Sequence, residues 1–329
     1  MPENASVFIA TQLGVEVTPG TAVAANRLLQ ALQIEPSIKP EIKSFRPRGQ
    51  KYNLVSVLGK EYVEAKISGD ASYNDLVYLF SSALSYAAPT QIIPTTGLAY
   101  QWTHTPNQTT PDTIETFTVQ SGSAARAQQF AFGLVNEIGY KLNREEFTIS
   151  GSMIGQAISD GITMTAAPTV IPFVPIPPTA VSVYLDPTSA ALGTTQLMRA
   201  FELDYKVSNI YGQVWPLNAS QASFAGYIEL APKAELKLKV EVDVAGMGNL
   251  TNMRAGSKQF MRVKATGADI DPSANPYTFQ HDMCLEVTNV SAFEDDKGVY
   301  AVEWTFEISY DTGWAKSQTI ELINTLATL

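Results

Sequence analysis

The chain has few of the residues that most metal and catalytic sites require. Its 329 residues include one cysteine, Cys284, and two histidines, His104 and His281. One cysteine excludes an internal disulfide, and two histidines with one cysteine fall short of a structural zinc site. The motifs G-x-S-x-G, H-E-x-x-H and G-x-x-x-x-G-K-[ST], which indicate hydrolases, zinc proteases and nucleotide-binding loops, are also absent. We therefore expect a protein that is not an enzyme and holds no cofactor or metal.

Charged residues, and basic ones above all, are scarce. Only 16% of the residues are charged, and 22 lysines and arginines against 32 acidic residues give a net charge of −10. Such a surface repels phosphate groups, which argues against a protein that wraps nucleic acid. Apolar residues make up 45% of the chain, which is enough for a packed core.

Long hydrophobic runs are absent too. Residues 1–10 have no basic region before their apolar residues, and no later run reaches the roughly 18 apolar residues that span a bilayer. We expect a chain that is made in the cytoplasm and has no membrane partner.

The sequence is rich in the alternation of polar and apolar residues that is typical of β-strands. In the clearest example, residues 235–244, charged residues occupy one face and the other carries Leu236, Leu238, Val240, Val242 and Val244. The same pattern predicts strands at residues 61–69, 117–119, 129–142, 147–154, 199–207, 258–265, 277–290 and 299–310. The fold is therefore predicted to be mainly β.

Two short helices are also predicted. One begins after Ser72, with Asp75 as its capping partner, and continues with apolar residues at helical spacing to Leu84. The other covers residues 249–255.

The order of these elements divides the chain. Residues 1–26 are small and polar without a sustained period, which predicts an N-terminal arm. Five prolines from Pro168 to Pro178 predict an extended linker at residues 167–196. The two stretches that remain, residues 27–166 and 197–329, repeat one order of an opening strand, a strand with Glu-x-Lys, a short helix and a long hairpin. We interpret them as two tandem β-sandwich or barrel units, each with a flanking short helix.

In three places the sequence resembles the major tail tube proteins of long-tailed (siphovirus-like) bacteriophages. The first is the opening Gln12-Leu13-Gly14-Val15-Glu16-Val17-Thr18-Pro19-Gly20-Thr21-Ala22. The second is the strand and capped helix of residues 66–84, and the third is the closing hairpin with Tyr310-Asp311. The resemblance implies a structural protein of the virion that polymerises into stacked rings, which form the tail tube through which DNA is ejected.

The resemblance also implies partners. Most members of this family carry one unit and form rings of six subunits, so two units in one chain imply trimeric rings with pseudo-hexameric symmetry. Further implied partners are the tape measure, terminator and tip proteins, while DNA passes through the lumen without specific binding. General physics agrees, because unpaired strand edges that pair between copies can close a ring, and a negative wall gives phosphates no binding points.

Three features are candidates for contacts between rings. A segment predicted to be a loop between two strands carries a local basic excess, made of Lys39, Lys43, Arg46, Arg48 and Lys51. The acidic turn of Glu294, Asp295 and Asp296 is its predicted partner on the next ring. Trp215, in the corresponding segment of the second unit (residues 208–226), is a predicted anchor if it is exposed. The alternatives are that both charged segments are solvated turns and that Trp215 belongs to the core.

Other functions stay open at this level. A carbohydrate-binding or adhesive β-sandwich module would use Trp304, Phe306 and Tyr310 as a stacking platform, and a glycoside hydrolase would use paired carboxylates such as Glu303 and Glu307. The inner tube of a contractile tail or injection machine is a further alternative, because its sheath is a separate chain. The calcium-loop pattern of Asp269, Asp271, Ser273 and Asn275 is incomplete, since Ala274 stands where the turn requires glycine.

Overall fold

The computed structural model describes residues 6–93, 97–217, 222–272 and 274–329, and the chain is mainly β as predicted. The first eleven strands are β1 Ala10–Val15, β2 Arg27–Leu29, β3 Leu32–Phe45, β4 Val55–Asp70, β5 Thr90–Gln91, β6 Tyr100–His104, β7 Phe117–Gly122, β8 Ala127–Asn143, β9 Phe147–Gly155, β10 Ser159–Ile162 and β11 Thr169–Val170. The next ten are β12 Val181–Asp186, β13 Ala200–Ser208, β14 Tyr211–Val214, β15 Gly226–Glu229, β16 Lys233–Glu241, β17 Gln259–Asp269, β18 Pro276–Val290, β19 Glu294–Asp296, β20 Val299–Ile308 and β21 Gln318–Asn324. The helices are α1 Leu76–Ala83, α2 Val244–Met247 and α3 Asn249–Ala255.

One strand order occurs twice along the chain. The first half pairs its strands in the order β1–β7–β8–β9–β4–β3, and the second half in the order β12–β17–β18–β20–β16–β13, with every pair antiparallel. The helices follow the same rule, because α1 packs on β8 and α3 packs on the equivalent strand β18. The two series are joined where β8 pairs with β13.

The structure differs from the sequence-based expectation in two stretches. The segment predicted to be an N-terminal arm contributes β1, and the segment predicted to be a proline-rich linker contributes β12. Both strands are six residues long and are flanked by turn-rich segments, so their alternation is too short to stand out. The predicted boundaries of the two units at residues 27–166 and 197–329 stay a prediction.

Strand β8 belongs to two sheets. Its first part pairs with β7, and from Leu134 onward it pairs with β9. The change of partner occurs at Phe132, which has a positive φ of 58°, and at Gly133, where a Cβ would lie 2.7 Å from the carbonyl oxygen of Phe117. A side chain at position 133 would therefore collide with β7.

The most regular predicted strand ends earlier than predicted. Leu236, Leu238 and Val240 are buried as expected, but β16 ends at Glu241. Beyond it, the Oδ1 atom of Asp243 accepts the N–H of Gly246 at 2.7 Å and turns the chain into α2. Val244 lies in this helix and is 94% exposed, so it does not share the core face.

Helix α1 is buried along its whole length and packs on β8. Its N-cap residue is Asp75, which makes no side-chain capping hydrogen bond, so the predicted cap by Ser72 is wrong. Ser72 instead contributes its carbonyl oxygen, which accepts the N–H of Leu76 at 3.3 Å. The predicted helix at residues 249–255 is confirmed as α3.

Candidate assembly surface

A large part of the β3–β4 hairpin projects beyond the rest of the molecule. β4 pairs with β9 only from Val63 to Asp70, whereas its pairing with β3 continues outward to Val55. Residues 36–62, which we call the extension, therefore form a two-stranded ribbon, and nearly all side chains from 37 to 59 are exposed. At about 3.3 Å per residue, the β3 side of the extension reaches roughly 30 Å, far enough to contact a neighbouring molecule.

The outer edge of β3 is blunted by prolines. The N–H of Ile34 points outward and donates to Thr11 Oγ1 at 3.2 Å. Pro36 and Pro40 lie two and six residues farther along β3, at positions where a backbone N–H would also point outward. Proline has no backbone N–H, so neither position can donate a hydrogen bond at this edge. This edge is therefore poorly suited to pair with a strand of another copy. The side chains of the extension are better placed to make such a contact.

One face of the extension continues the apolar core face of the hairpin. Ile34 and Val63 lie on this face and are fully buried in the body of the protein. Farther out on the same face, Ile38, Ile42 and Leu58 are exposed by 44%, 61% and 45%. The apolar side of the ribbon thus extends past the core that would cover it.

The outer end of the extension, residues 43–54, which we call the tip, and the adjoining part of β4 are also apolar. The exposed side chains there are Phe45 at 49%, Tyr52 at 74%, Leu54 at 68%, Val55 at 52% and Val57 at 49%. By the register of the hairpin, Phe45, Val55 and Val57 lie on the face opposite to Ile38, Ile42 and Leu58. Large apolar side chains that stay exposed on a projecting element are typical of a surface that is covered in an assembly.

The basic residues predicted to lie in a loop are placed differently by the structure. β3 continues to Phe45, so Lys39 and Lys43 lie on a strand, and only Arg46, Arg48 and Lys51 lie in the connecting turn. The prediction of a loop from Lys39 onward is therefore wrong. Pro40 and its neighbours suggested a break, but a proline on an edge strand leaves the ladder intact.

These basic residues differ in the contacts that their charges make within the chain. Lys39 Nζ lies 3.3 Å from Glu64 Oε2 on the neighbouring strand, so its charge is paired. Lys43 and Lys51 lie over the rings of their own neighbours Phe45 and Tyr52, at 5.5 and 5.7 Å from the ring centroids.

No acidic residue lies between Glu41 and Glu61 in the sequence. Arg46 and Arg48 form no ion pair with any described residue. The tip therefore carries a positive charge that the described part of the chain does not neutralise.

The predicted acidic partner is already engaged within the chain. Glu294 Oε2 and Asp296 Oδ2 each lie 3.5 Å from Lys239 Nζ. Burial opposes the charge of Lys239, but the two carboxylates outweigh it and raise the pKa of this amine. Asp295 Oδ1 accepts the N–H of Gly298 at 2.6 Å within the turn. A contact between this turn and the basic tip stays a prediction.

Trp215 is half-buried and lies against the base of the extension. Its ring stands edge-on to Tyr62 at 6.0 Å and to Phe224 at 5.9 Å. Lys60 Nζ lies 4.9 Å from the centroid of the Trp215 ring, within the range of a cation–π contact. Trp215 thus contacts both the extension and the loop of the β14–β15 hairpin that carries it.

Backbone hydrogen bonds complete this joint. Where β4 has passed the end of β9, the N–H of Glu61 donates to the carbonyl oxygen of Ala222 at 3.0 Å. The hydroxyl of Ser223 donates to Glu61 O at 2.6 Å and accepts the N–H of Ala157 at 2.9 Å. The β14–β15 loop therefore takes the place of β9 beside β4 and anchors the extension.

The apolar face of the extension was missed in the sequence, although a signal for it is present. Ile34, Ile38 and Ile42 recur with a strand period of two, interrupted by Pro36 and Pro40. The prolines predicted a loop, which hid the alternation. Prolines that replace apolar residues at alternate positions of a strand are better interpreted as a sign of an exposed edge strand, which they prevent from pairing with another strand.

The two histidines are core residues. His104 Nδ1 donates to the carbonyl oxygen of Ser85 at 2.7 Å, and burial lowers the pKa of His104 to about 4. His281 accepts from the Tyr140 hydroxyl at 3.0 Å and donates to Gln318 Oε1 at 3.1 Å, and burial lowers its pKa to about 3. Within the described residues, no group of three or more His, Cys, Asp and Glu side chains is arranged to hold a metal ion.

The structure also places the other residues that the sequence analysis considered for binding or catalysis. Trp304 and Phe306 are fully buried in the core, so they do not form an exposed platform on which a sugar could stack. Cys284 is buried as well, and burial raises the pKa of its thiol. In the calcium-like segment, the Asp271 carboxylate accepts from the Asn275 side chain, and Ser273 lies outside the described residues.

Comparison with known proteins leaves the family open. The chain matches no protein-family model and no curated protein. Within the part of the chain that the structure describes, no helix is both long and apolar enough to cross a membrane.

Proposed function

We propose that this chain is a structural protein that assembles with copies of itself into stacked rings, as the tail tube of a long-tailed bacteriophage. The observation that carries this proposal is the exposed continuation of the core face along the extension. An apolar face of this kind is costly in an isolated molecule and is stabilised when a second copy covers it.

The size of the effect favours assembly. Burial of an exposed aliphatic side chain contributes about 1 to 2 kcal/mol, so covering Ile38, Ile42 and Leu58 contributes several kcal/mol at each contact. Around this apolar face, the basic tip supplies specificity, because the chain as a whole is acidic with a net charge of −10.

The repeated strand order supports the proposed symmetry. Two equivalent strand series in one chain allow three copies to form a ring with six similar units. Acidic residues that line the lumen of such a ring would repel the phosphates of DNA, so that DNA passes without specific binding. The tape measure, terminator and tip proteins of a phage tail are the further partners, and the virion is the proposed location. The inner tube of a contractile tail fits the same observations.

Reversal of the tip charge tests this function. We expect the purified chain to form rings or tubes with rising concentration, visible by negative-stain microscopy and by sedimentation. The variant R46E/R48E should remain a folded monomer, because two like-charged contacts replace two favourable ones. We expect the concentration required for assembly to rise by about tenfold or more, which corresponds to about 1.4 kcal/mol.

A matched control distinguishes the effect of charge at the tip from the effect of the net charge of the chain. Arg144 and Arg254 are exposed and lie outside the extension, and R144E/R254E changes the net charge by the same amount. This control should assemble like the unmodified chain. A chain that stays monomeric at high concentration, or an R46E/R48E variant that forms normal tubes, contradicts the proposal.

A further inference from the structure

A second surface of the molecule combines an apolar floor with unpaired negative charge. A cleft of about 550 Å³ lies between the loop of residues 106–112 and the connection from β15 to β16. Its apolar lining includes Leu84, Val207, Ile210, Tyr211, Pro232 and Ile308. Such a cleft has room for one or two large side chains of another molecule.

Two carboxylates stand at this cleft, from Asp112 and Glu229. Glu229 Oε1 accepts the backbone N–H of Asp112 at 2.8 Å, and Asp112 Oδ1 accepts from the backbone and side chain of Asn107 at 2.9 and 2.8 Å. No lysine or arginine among the described residues forms an ion pair with either carboxylate.

The two hydrogen bonds from Asn107 favour the negative charge of Asp112 but do not outweigh the effect of burial. Burial raises the pKa of Asp112 to about 6, and the nearby charge of Glu229 acts in the same direction. A cation placed between the two carboxylates would be favourable.

Another cleft of the molecule offers a useful contrast. It lies beside β3 and is lined by Ile9, Glu35, Arg126 and Asp160, among others. There Arg126 forms an ion pair with Asp160, and Glu35 accepts a hydrogen bond from the neutral side chain of Gln33 at 3.0 Å. The cleft at Asp112 and Glu229 differs in that it holds two adjacent carboxylates, neither of which forms an ion pair with a described residue.

The tip of the extension has the complementary chemistry. It presents the unpaired cations of Arg46 and Arg48 beside the exposed rings of Phe45 and Tyr52. We infer that this cleft receives the tip of the extension from a second copy of the chain, with the rings on the apolar floor and the arginines beside Asp112 and Glu229. This inference rests on the proposed self-assembly and names the surface that the extension contacts.

Neutral substitutions in the cleft provide the first test. The variant D112N/E229Q removes both charges and keeps the side-chain carbonyl oxygens that accept from Asn107 and from the Asp112 N–H. We expect it to fold with an unchanged melting temperature and to need about a tenfold higher concentration for assembly. The matched control E294Q/D295N neutralises the acidic turn predicted from the sequence, and it should assemble normally.

A charge exchange provides the second test. The variants R46E/R48E and D112K/E229K should each need about a tenfold or higher concentration for assembly. The chain that carries all four substitutions should again assemble at the concentration of the unmodified chain, because the charges of tip and cleft are exchanged together. Circular dichroism and melting curves confirm that each variant is folded. Should D112K/E229K lose its fold, the comparison of D112N/E229Q with E294Q/D295N still decides the question.

The outcomes separate the two proposals. Normal assembly by D112N/E229Q overturns the role of the cleft while the proposed function stands. Loss of assembly in E294Q/D295N alone assigns the contact to the acidic turn instead. Failure of the unmodified chain to assemble at any concentration overturns the proposed function itself.

Discussion

Two buried carboxylates hold equivalent turns in the two halves of the chain. Glu16 directly follows β1 and accepts four hydrogen bonds, from the hydroxyls of Thr116 and Thr118 and from the N–H groups of Gly20 and Phe132, at 2.8 to 2.9 Å. It ties the turn after β1 to β7 and to the bend of β8.

Asp186 plays the same part at the end of β12. Its carboxylate accepts the N–H groups of Gly193, Thr194 and Thr195 and the Thr194 hydroxyl, at 2.7 to 3.2 Å. Burial by itself disfavours this charge, but the hydrogen bonds outweigh it and hold the pKa of Asp186 below its usual range. The charged form is therefore the one that stabilises the fold.

Asp186→Asn should destabilise the protein at neutral pH. The amide leaves part of the set of donors unsatisfied, and we expect a loss of about 2 kcal/mol in the free energy of unfolding. Because the folded-state pKa is depressed, the unfolded chain binds the proton first as the pH falls. The contribution of Asp186 is therefore present above about pH 4, the ordinary pKa of aspartate, and is lost below it.

Urea denaturation at several pH values measures this difference. The gap between Asp186→Asn and the unmodified chain should narrow below about pH 4. Asp269→Asn is the control, because Asp269 is exposed. A gap that is constant with pH would show that the amide acts through packing and not through the lost charge.

The sequence predicts only part of such a buried carboxylate site. The run from Gln12 to Ala22 contains Glu16 and Gly20, and this run is what resembles tail tube proteins. The donors Thr116, Thr118 and Phe132 lie about a hundred residues away, so only the folded chain shows that Glu16 is a buried acceptor.

At the scale of elements, long strands with alternating polar and apolar residues could be predicted from the sequence, whereas an edge strand that contains prolines could not. The patterns at residues 277–290 and 147–154 are confirmed as β18 and β9, because the apolar side chains of both strands pack in the core. β3 was missed, because its prolines and exposed outer half match a loop in composition. What distinguishes it is its pairing with β4, which depends on the whole hairpin.

Trp215 couples the β14–β15 hairpin to the base of the extension, and its removal should affect assembly more than folding. Trp215→Ala removes the ring contacts with Tyr62 and Phe224 and the contact with Lys60. We expect a loss of about 1 to 2 kcal/mol in stability from these contacts. We also expect a clear rise in the concentration needed for assembly, since the direction of the extension is less fixed.

A second tryptophan provides the control for this prediction. Trp314 stands edge-on to Phe260 at 5.9 Å and lies 5.8 Å from Lys316 Nζ, a similar environment that does not touch the extension. Trp314→Ala should cost similar stability and leave assembly unchanged. Equal effects of the two variants on sedimentation would remove the positioning role of Trp215.

At the scale of the whole molecule, the repeated strand order places corresponding elements in the two halves of the chain. The order β1–β7–β8–β9–β4–β3 and its counterpart in the second half place the β3–β4 extension and the β14–β15 hairpin at equivalent positions, between β3 and β4 and between β13 and β16. The two insertions differ in structure. One projects outward, and the other folds back to brace it at Trp215 and Ser223.

The last prediction follows from this division between body and extension. Lys39 and Tyr62 are cross-strand partners whose N–H groups point toward the opposite strand, so residues 40–61 can be replaced by the two-residue turn Asn-Gly without a change in register. The removed residues are almost all exposed, so the body should keep its core and melt within a few degrees of the unmodified chain. The shortened chain should remain monomeric in sedimentation at concentrations where the full chain assembles, because both the apolar face and the basic tip are gone. Persistent assembly would locate the contact elsewhere on the body, and loss of folding would show that the extension belongs to the core.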